Sequence, residues 1–441
     1  MTPPLPPGWT IVTHNAKART YETYTNGSHT EKSVKGAWRV HTGQPTPPPR
    51  KKAKSSTNTP KPKPMPLTSS TKTNAAPSRA AAGKVISVMS TPRDLIVFPD
   101  IEPPDELKHM NLLPDRIRVA TDCSGLDAPI HALRLLGIKH KHIFSSEIEK
   151  AARCFLEQNY SEGTLFGDIS QRDVAFAGES DLFVAGFPCQ SFSMMNAKKK
   201  DTDARKELWR HCVEYIRTKR PKAFVLENVR ALLHAYQGSV WQALQEALNN
   251  IPGYEWDHRI LDAKEHGCPQ SRQRLYIVGV EQSQTLFKLR FPDPIPLTRS
   301  CLDVLNRDED QGDNALGGGP MTPCYERFVE QWDFPPGTTG LLEFNAATFT
   351  TRPYEQQTED TKAKALSYVR ADVAPCLVAH SPGHFAVHLN RLLNTNEMLR
   401  LQGFDPQIVR CNGVTARQMQ KLVGNSMCVD VLKALFTAML R

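Results

Sequence analysis

No run of 18 apolar residues occurs in this chain, so the sequence predicts no membrane-spanning helix. None of its ten cysteines forms a Cys-x-x-Cys pair, which argues against a zinc finger and for a compartment that keeps thiols reduced. No metal site is expected. The opening MTPPLPPGW has no apolar core of the kind a secretory signal needs, so no leader is expected. Acidic residues are scarce at one end. Of 55 Lys plus Arg and 46 Asp plus Glu, 15 and 2 lie up to Arg93, leaving 40 and 44 beyond it. The whole excess of +9 therefore belongs to the N-terminal segment, which suggests a polyanion partner and salt-dependent affinity. Large apolar residues are also scarce over 42–84, where Pro, Thr, Ser, Lys and Ala dominate. Such a stretch cannot bury enough surface to fold, and a disordered basic linker is expected over 44–95. Within it, PRKKAK (49–54) reads either as a nuclear localisation signal or as a solvated charge run.

What remains is long enough for one large α/β domain with small additions, and its chemistry sits in a few blocks. DLFVAGFPCQSFS (181–193) opens with a buried apolar run that reads as a central parallel strand. The run breaks at Gly186 and Pro188 and presents Cys189 just past the strand's carboxyl end, where open α/β sheets place their chemistry. Gln190, Ser191 and Ser193 surround the thiol with hydrogen-bonding groups. AFVLENV (223–229) predicts a second buried strand ending in Glu227 and Asn228. A carboxylate there is costly unless it is paired or used. HGCPQSRQRLYIVG (266–279) leads into a third apolar strand. Its alternation sends Gln270, Arg272 and Arg274 to one face. RLLNTNEMLRLQGF (391–404) reads as a loop and helix, and LVGNSMCV (422–429) as a loop carrying Gly424, Asn425 and Ser426 into a closing helix.

Upstream, RIRVAT (116–121) reads as a strand, DCSGLD (122–127) as a tight turn, and 128–136 as an amphipathic helix. Strand, glycine turn and helix form a nucleoside-binding fingerprint. Taken alone, the block also fits a generic βα turn.

In order and spacing these blocks resemble the cytosine carbon-5 DNA methyltransferase family, over roughly 117–440 apart from 285–370. GFPCQSFS, ENV, QSRQR and GNS in that order form a specific combination. The resemblance implies a Rossmann-like α/β fold dependent on S-adenosylmethionine, with a smaller inserted target-recognition domain. It also implies transfer of a methyl group to carbon 5 of cytosine in double-stranded DNA. Carbon 5 is too weak a nucleophile unaided, so Cys189 would add as a thiolate to carbon 6. Glu227 would be the acid at ring nitrogen 3 and Asn228 would order loop and substrate. Arg272 and Arg274 would supply positive charge, and the base would be flipped out of the stack. Gln190, Ser191, Gln270 and Arg352 are expected to touch DNA.

For the cofactor the resemblance implies Cys123, Ser124, Gly125 and Leu126 in the turn, where the family usually has a phenylalanine and three glycines. It implies Glu147 on the ribose hydroxyls and Ile148 against the adenine in place of the usual tryptophan. Asp168 and Ile169 match adenine-contacting positions, and Asn425 and Ser426 complete the set. An acidic residue in these places also fits a helix cap or turn.

The expected organisation is a small module at 4–43, the linker at 44–95, a catalytic core at 112–284, a target-recognition region at 285–370 and a C-terminal completion at 371–441. LPPGW, RTYETY, an Asn26-Gly27 turn and SVKGAWRVH resemble the methyl-CpG-binding domain family, which implies a short antiparallel sheet, a hairpin and one helix. A WW-like module or a plain DNA-contacting or structural piece are the alternatives. A nuclear location is expected, and the oligomeric state is not specified by the pattern. Two other readings of the whole chain share the fold: an RNA cytosine methyltransferase, and an inactive DNA-binding homologue.

Overall fold

A computed structural model of the chain describes residues 101–112, 115–160, 162–188, 207–305, 337–343, 369–379 and 383–441, with the backbone of strands at 10–16, 19–25, 30–31 and 85–88. The chain divides into two compact units, Met1–Asn74 and Ala75–Arg441. Cys189, Gln190, Ser191 and Arg352 lie outside the described residues.

The first unit holds a three-stranded antiparallel sheet of β1 (Thr10–Ala16), β2 (Arg19–Thr25) and β3 (Thr30–Glu31), in that order. Thr10 faces Thr25 and Ala16 faces Arg19, while Tyr24 faces Glu31. Threonine and tyrosine dominate β2 and suit a pleated surface. The expected turn at Asn26-Gly27 and the expected helix fall outside the described residues.

The second unit is built on an eight-stranded sheet. Its strands are β4 (Val85–Val88), β5 (Ile117–Asp122), β6 (His140–Ser146), β7 (Thr164–Phe166), β8 (Leu182–Ala185), β9 (Ala223–Val229), β10 (Tyr254–Asp262) and β11 (Gln273–Glu281). They lie in the order β10-β11-β9-β8-β5-β6-β7-β4. The middle five are parallel, and the outer strands pair antiparallel. From β5 the chain first runs outward through β6 and β7, then returns to the other side of β5 for β8 and β9. The topological switch therefore lies between β5 and β8, where such folds open a ligand crevice.

Period-2 alternation splits the strand side chains between two cores. Leu182, Val184, Ala223 and Val225 point into one, against α1 (Ala128–Leu135), α2 (Lys150–Asn159) and the C-terminal α7 (Val429–Leu440). Phe183, Ala185, Phe224 and Leu226 point into the other, against α3 (Trp209–Lys219) and α4 (Ser239–Asn249). Both faces of the sheet are covered, which is why its central strands read as continuous apolar runs.

Three expectations are corrected here. The linker expected over 44–95 ends in β4, where Val85 faces Phe166 and Val88 faces Thr164; its β-branched VISV favours an edge strand. The region expected to be target-recognising from 285 starts as part of the catalytic unit. Phe287, Phe291, Cys301, Val304 and Leu305 are buried in its first core, and the Lys288 N–H donates to Met439 O at 2.7 Å. At its far side, β12 (Leu341–Glu343) joins β13 (His384–Ala386) and β14 (Arg391–Leu392) in a small antiparallel sheet. Lastly, GNS is not wholly a loop, because α6 (Ala416–Asn425) runs through Gly424 and Asn425 before the break at Ser426. The stretch Ala416–Leu440 is long and apolar enough to cross a membrane, yet 72% of its 18-residue apolar window is buried within the fold, as core helices are.

Candidate active site

Strand β8 delivers Gly186, Phe187 and Pro188 to the crevice, immediately before Cys189. Gly186 is approached closely from two sides: a Cβ would stand 2.8 Å from Met427 Cε, the movable end of its side chain, and 3.6 Å from Glu227 Oε2. Next to it, the amide of Asn228 donates to Phe187 O at 3.0 Å, while its own Oδ1 accepts the Val229 N–H at 2.9 Å. Asn228 is buried, so the carbonyl two residues before the thiol is held from the end of β9.

Glu227 lies beside it with 8% exposure. It faces Tyr276 across the antiparallel β9–β11 pair, and Arg274 faces Val229. Glu227 and Arg274 are thus diagonal neighbours on one face, and Arg274 Nε reaches Glu227 Oε1 at 3.3 Å. Burial raises the Glu227 carboxyl above its ordinary range, with Arg274 and then Arg272 pulling the other way. Desolvation dominates, so this carboxyl holds its proton more tightly than a surface glutamate does.

Arg272 turns out to brace rather than project. Its buried guanidinium donates to Leu377 O at 2.8 Å, Gly424 O at 3.2 Å and Ser426 O at 2.6 Å. Gln270, expected at DNA, is fully buried. Its Nε2 donates to Leu401 O at 2.7 Å and Gln402 Oε1 at 3.0 Å, and its Oε1 accepts the Leu377 N–H at 2.9 Å. The expectation fails because both ends of the amide are taken inside the fold. The two side chains tie the approach to β11 to 376–377, to the end of α5 (Thr395–Leu401) and to the α6–α7 junction. Gly424 permits this closeness, since a Cβ there would be 2.5 Å from Ala379 N. Cys376 Sγ sits 3.4 Å from Arg272 Nη1 and 3.8 Å from Arg274 Nη2.

At the switch point, the turn after β5 points Gly125 towards empty space, with nothing within 4 Å of where a Cβ would be. Its N–H donates to Glu147 Oε2 at 2.8 Å, and Glu147 Oε1 accepts the Glu149 N–H at 2.8 Å. Burial raises this carboxyl too, against those backbone donors. Ile148 follows it and is 68% exposed, an unusual position for so apolar a side chain. An open cradle, a desolvated carboxylate and a bare apolar side chain fit an adenosyl group. Leu126 is a correction: its side chain is in the core, leaving only backbone for a ligand. Asp168 Oδ1 caps the turn through the Ser170 N–H at 2.9 Å, and Ile169 is buried. Ser124 Oγ accepts the Ser146 N–H at 3.1 Å. Asn425 is exposed, and Ser426 O is held by Arg272 and Gln402.

One pair escaped the sequence reading. Arg172 binds Asp122, at the end of β5, through both carboxylate oxygens, and donates to Ser146 Oγ at 2.7 Å. Its guanidinium lies 4.8 Å from the centre of the Phe144 ring. An ion pair this buried, joined through both carboxylate oxygens, ties the end of β5 to Arg172. Cys268, Cys428 and Asp430 also converge, with ligand atoms within 4.8 Å of one another. Asp430 is already matched by Arg299 at 2.8 Å and Lys433 at 3.2 Å, so the trio reads as a thiol pair beside an ion pair.

The C-5 cytosine-specific DNA methylase family matches residues 122–441. The type II methyltransferase M.NgoBI of Neisseria gonorrhoeae is 31% identical over 293 residues, spanning 66% of this chain and 84% of its own length. M.HaeII of Haemophilus aegyptius is 30% identical over 300 residues, spanning 68% and 86%. Among solved structures, the Entamoeba histolytica methyltransferase EhMeth aligns over 73% of this chain and 96% of its own, with a TM-score of 0.50 at 16% identity; that likeness concerns the fold. The order of the blocks, the sheet with its switch point and the matched length agree: the chain belongs to the C-5 cytosine-specific DNA methylase family.

Proposed function

We propose that this DNA cytosine-5 methyltransferase works through a covalent adduct between Cys189 and a cytosine flipped out of double-stranded DNA. The observation that carries the reading is the grouping of Glu227, Arg274 and Asn228 around the strand end that precedes Cys189. The thiolate adds to carbon 6 while the Glu227 carboxyl gives its proton to ring nitrogen 3, leaving carbon 5 electron-rich. S-adenosylmethionine, the family's methyl donor, supplies the electrophilic methyl group. The carbon 5 proton then leaves to water, the sulfur–carbon 6 bond breaks with its electron pair returning to sulfur, and nitrogen 3 returns its proton to Glu227. Arg274 steadies charge on the acid as it ionises. Arg272 acts at one remove, by holding the backbone around 377 and 424–426.

Glu147 would hold the ribose, with Gly125 leaving space and Ile148 offering an apolar face to the adenine. Target reading is assigned to parts of 306–368 outside the described residues, Arg352 among them. The basic N-terminal segment is a DNA tether in a nuclear enzyme, with the module at 4–43 of methyl-CpG-binding type.

Duplex DNA containing 5-fluorocytosine tests the mechanism, because fluorine at carbon 5 blocks elimination. A denaturation-resistant adduct should form with the natural chain and not with Cys189→Ser. Methyl transfer by Cys189→Ser would overturn the thiolate mechanism.

A further inference from the structure

The turn from β5 to α1 holds one glycine, yet Cys123, Gly125 and Asp127 all take left-handed backbone, with φ of 53°, 56° and 54°. For residues other than glycine that conformation costs on the order of 1 kcal/mol, so something must hold Asp127 there. A buried polar cluster does. Asp127 Oδ2 accepts from Ser145 Oγ at 2.6 Å and from Thr121 Oγ1 at 3.2 Å. Ser145 Oγ also lies 2.9 Å from His142 Nε2, and that nitrogen is 3.5 Å from Asp127 Oδ2. All four side chains are buried. The cluster reaches the crevice through Thr121 Oγ1, 2.8 Å from Ser124 Oγ, next to the Gly125 N–H that meets Glu147.

We propose that Asp127, backed by Ser145 and His142, is a positioning residue for the methyl-donor loop, and that its ionised form is the one that favours the donor. The proposal rests on the cofactor reading above. With Asp127 ionised, both hydroxyls donate to it and the turn is held from β5 and β6 together. Asp127 Oδ1 is buried without a hydrogen-bond partner and would take the proton; the two hydroxyl bonds to Oδ2 then lose their charge assistance and hold the turn less firmly. The donor's sulfonium is cationic and, once bound, would favour the carboxylate as well, so both effects would have the same sign.

Burial pushes Asp127 up to about 7, against the Ser145 and Thr121 hydroxyls. Arg134 on α1 pulls it down and Glu147 beyond β6 pushes it up. His142 is itself driven down to about 3 by burial, so it faces Asp127 uncharged. The Tyr160 hydroxyl donates to Leu126 O and Asp127 O at 2.7 and 3.2 Å and stays neutral. Donor affinity is therefore full above about 7 and falls as pH drops through it.

Calorimetry of S-adenosylmethionine on the full chain between about pH 8 and about pH 6 tests this, with affinity expected to fall roughly five-fold. Asp127→Asn keeps the shape and removes the titration: its affinity should be lower at the alkaline end and flat across the range. Turnover at saturating donor should be unchanged, so the loss shows in KM and not in kcat. If Asp127→Asn does not fold, Ser145→Ala removes one donor, moves the Asp127 titration upward and should also raise KM alone. S-adenosylhomocysteine, which lacks the sulfonium charge, should show a shallower pH dependence. Natural affinity and an unchanged slope in Asp127→Asn overturn the proposal, as does a fall in kcat without a change in KM. Glu147→Ala separates the two levels. Unchanged donor affinity there removes the cofactor reading itself, whereas weakened affinity there with a natural Asp127→Asn removes only this inference.

Discussion

Arg274 Nε stands 3.3 Å from Glu227 Oε1, although the residue directly opposite Glu227 on the neighbouring strand is Tyr276. The arginine reaches its partner along the diagonal of an antiparallel pair. This moderates a carboxyl that burial alone would push higher. Arg274→Ala should therefore raise the Glu227 carboxyl further and shift the alkaline limb of the rate profile to higher pH. Turnover should drop by roughly 10²-fold as charge on the acid is no longer balanced. A profile of kcat against pH decides it: a lower rate with an unmoved limb would mean that Glu227 is not the proton donor.

Asn228 gives a different signature. Removing its amide leaves the buried Phe187 carbonyl without its side-chain donor, a loss of about 1–3 kcal/mol in stability. Asn228→Ala should lower the melting temperature modestly and the rate of 5-fluorocytosine adduct formation much more, because the freed segment carries Cys189. Equal adduct rates in both proteins would show that this clamp does not position the thiol.

Arg272 should behave as a structural brace. Arg272→Met leaves three carbonyls without their cation and should destabilise the fold by about 3 kcal/mol. Arg272→Lys should recover little, since an ammonium lacks the fork that spans three acceptors. Limited proteolysis near 376–379 or 424–428 should accelerate in both variants. Resistance equal to that of the natural chain would remove the bracing role.

The strands that build the crevice are legible in the sequence because each is a short apolar run ending in Gly, Pro or a polar residue. Strands β8 and β9 fall at 182–185 and 223–229, where the runs lie. The alternation of Gln270, Arg272 and Arg274 also shows correctly that they share a side. It says nothing of what covers that side. Arg272 meets Ser426, 154 positions further on, and a buried amide at Gln270 looks the same in sequence as one facing DNA. The Asp122–Arg172 pair was invisible for the same reason, with partners 50 positions apart and no periodicity to join them. Leu126 misled because it stands in a loop motif whose neighbours face the crevice while its own side chain packs inward.

Buried neutral histidines should make stability fall in acid. His131 is pushed down to about 3 and His384 to about 4, by burial first in both cases. His131 Nε2 accepts the Asp405 N–H at 3.1 Å, a role open only to the neutral ring. Unfolded histidine titrates near 6.5. Between that value and the folded ones, the unfolded chain binds more protons, so stability is full above about 6.5 and is lost as pH falls. Each should contribute a loss on the order of 1–2 kcal/mol by about pH 5. His384→Gln and His131→Gln should each flatten urea midpoints measured across that range. An unchanged slope would show that the rings are protonated without cost.

The N-terminal segment is best tested by cutting at the boundary between the two units, not at Lys84 beside β4. Removing Met1–Asn74 spares the edge strand at 85–88 and takes away most of the basic excess. Turnover on short saturating duplexes should be nearly unchanged, because no residue placed in the active site is lost. The KM for DNA should rise, and the slope of log affinity against log salt should flatten as fewer phosphates are neutralised. The isolated segment should prefer methylated over unmethylated CpG duplexes if 4–43 is of methyl-CpG-binding type. Equal binding would leave an electrostatic anchor that raises local DNA concentration. Loss of turnover at saturating DNA would contradict the tether, because mass action can be overcome with substrate while a missing structural support cannot.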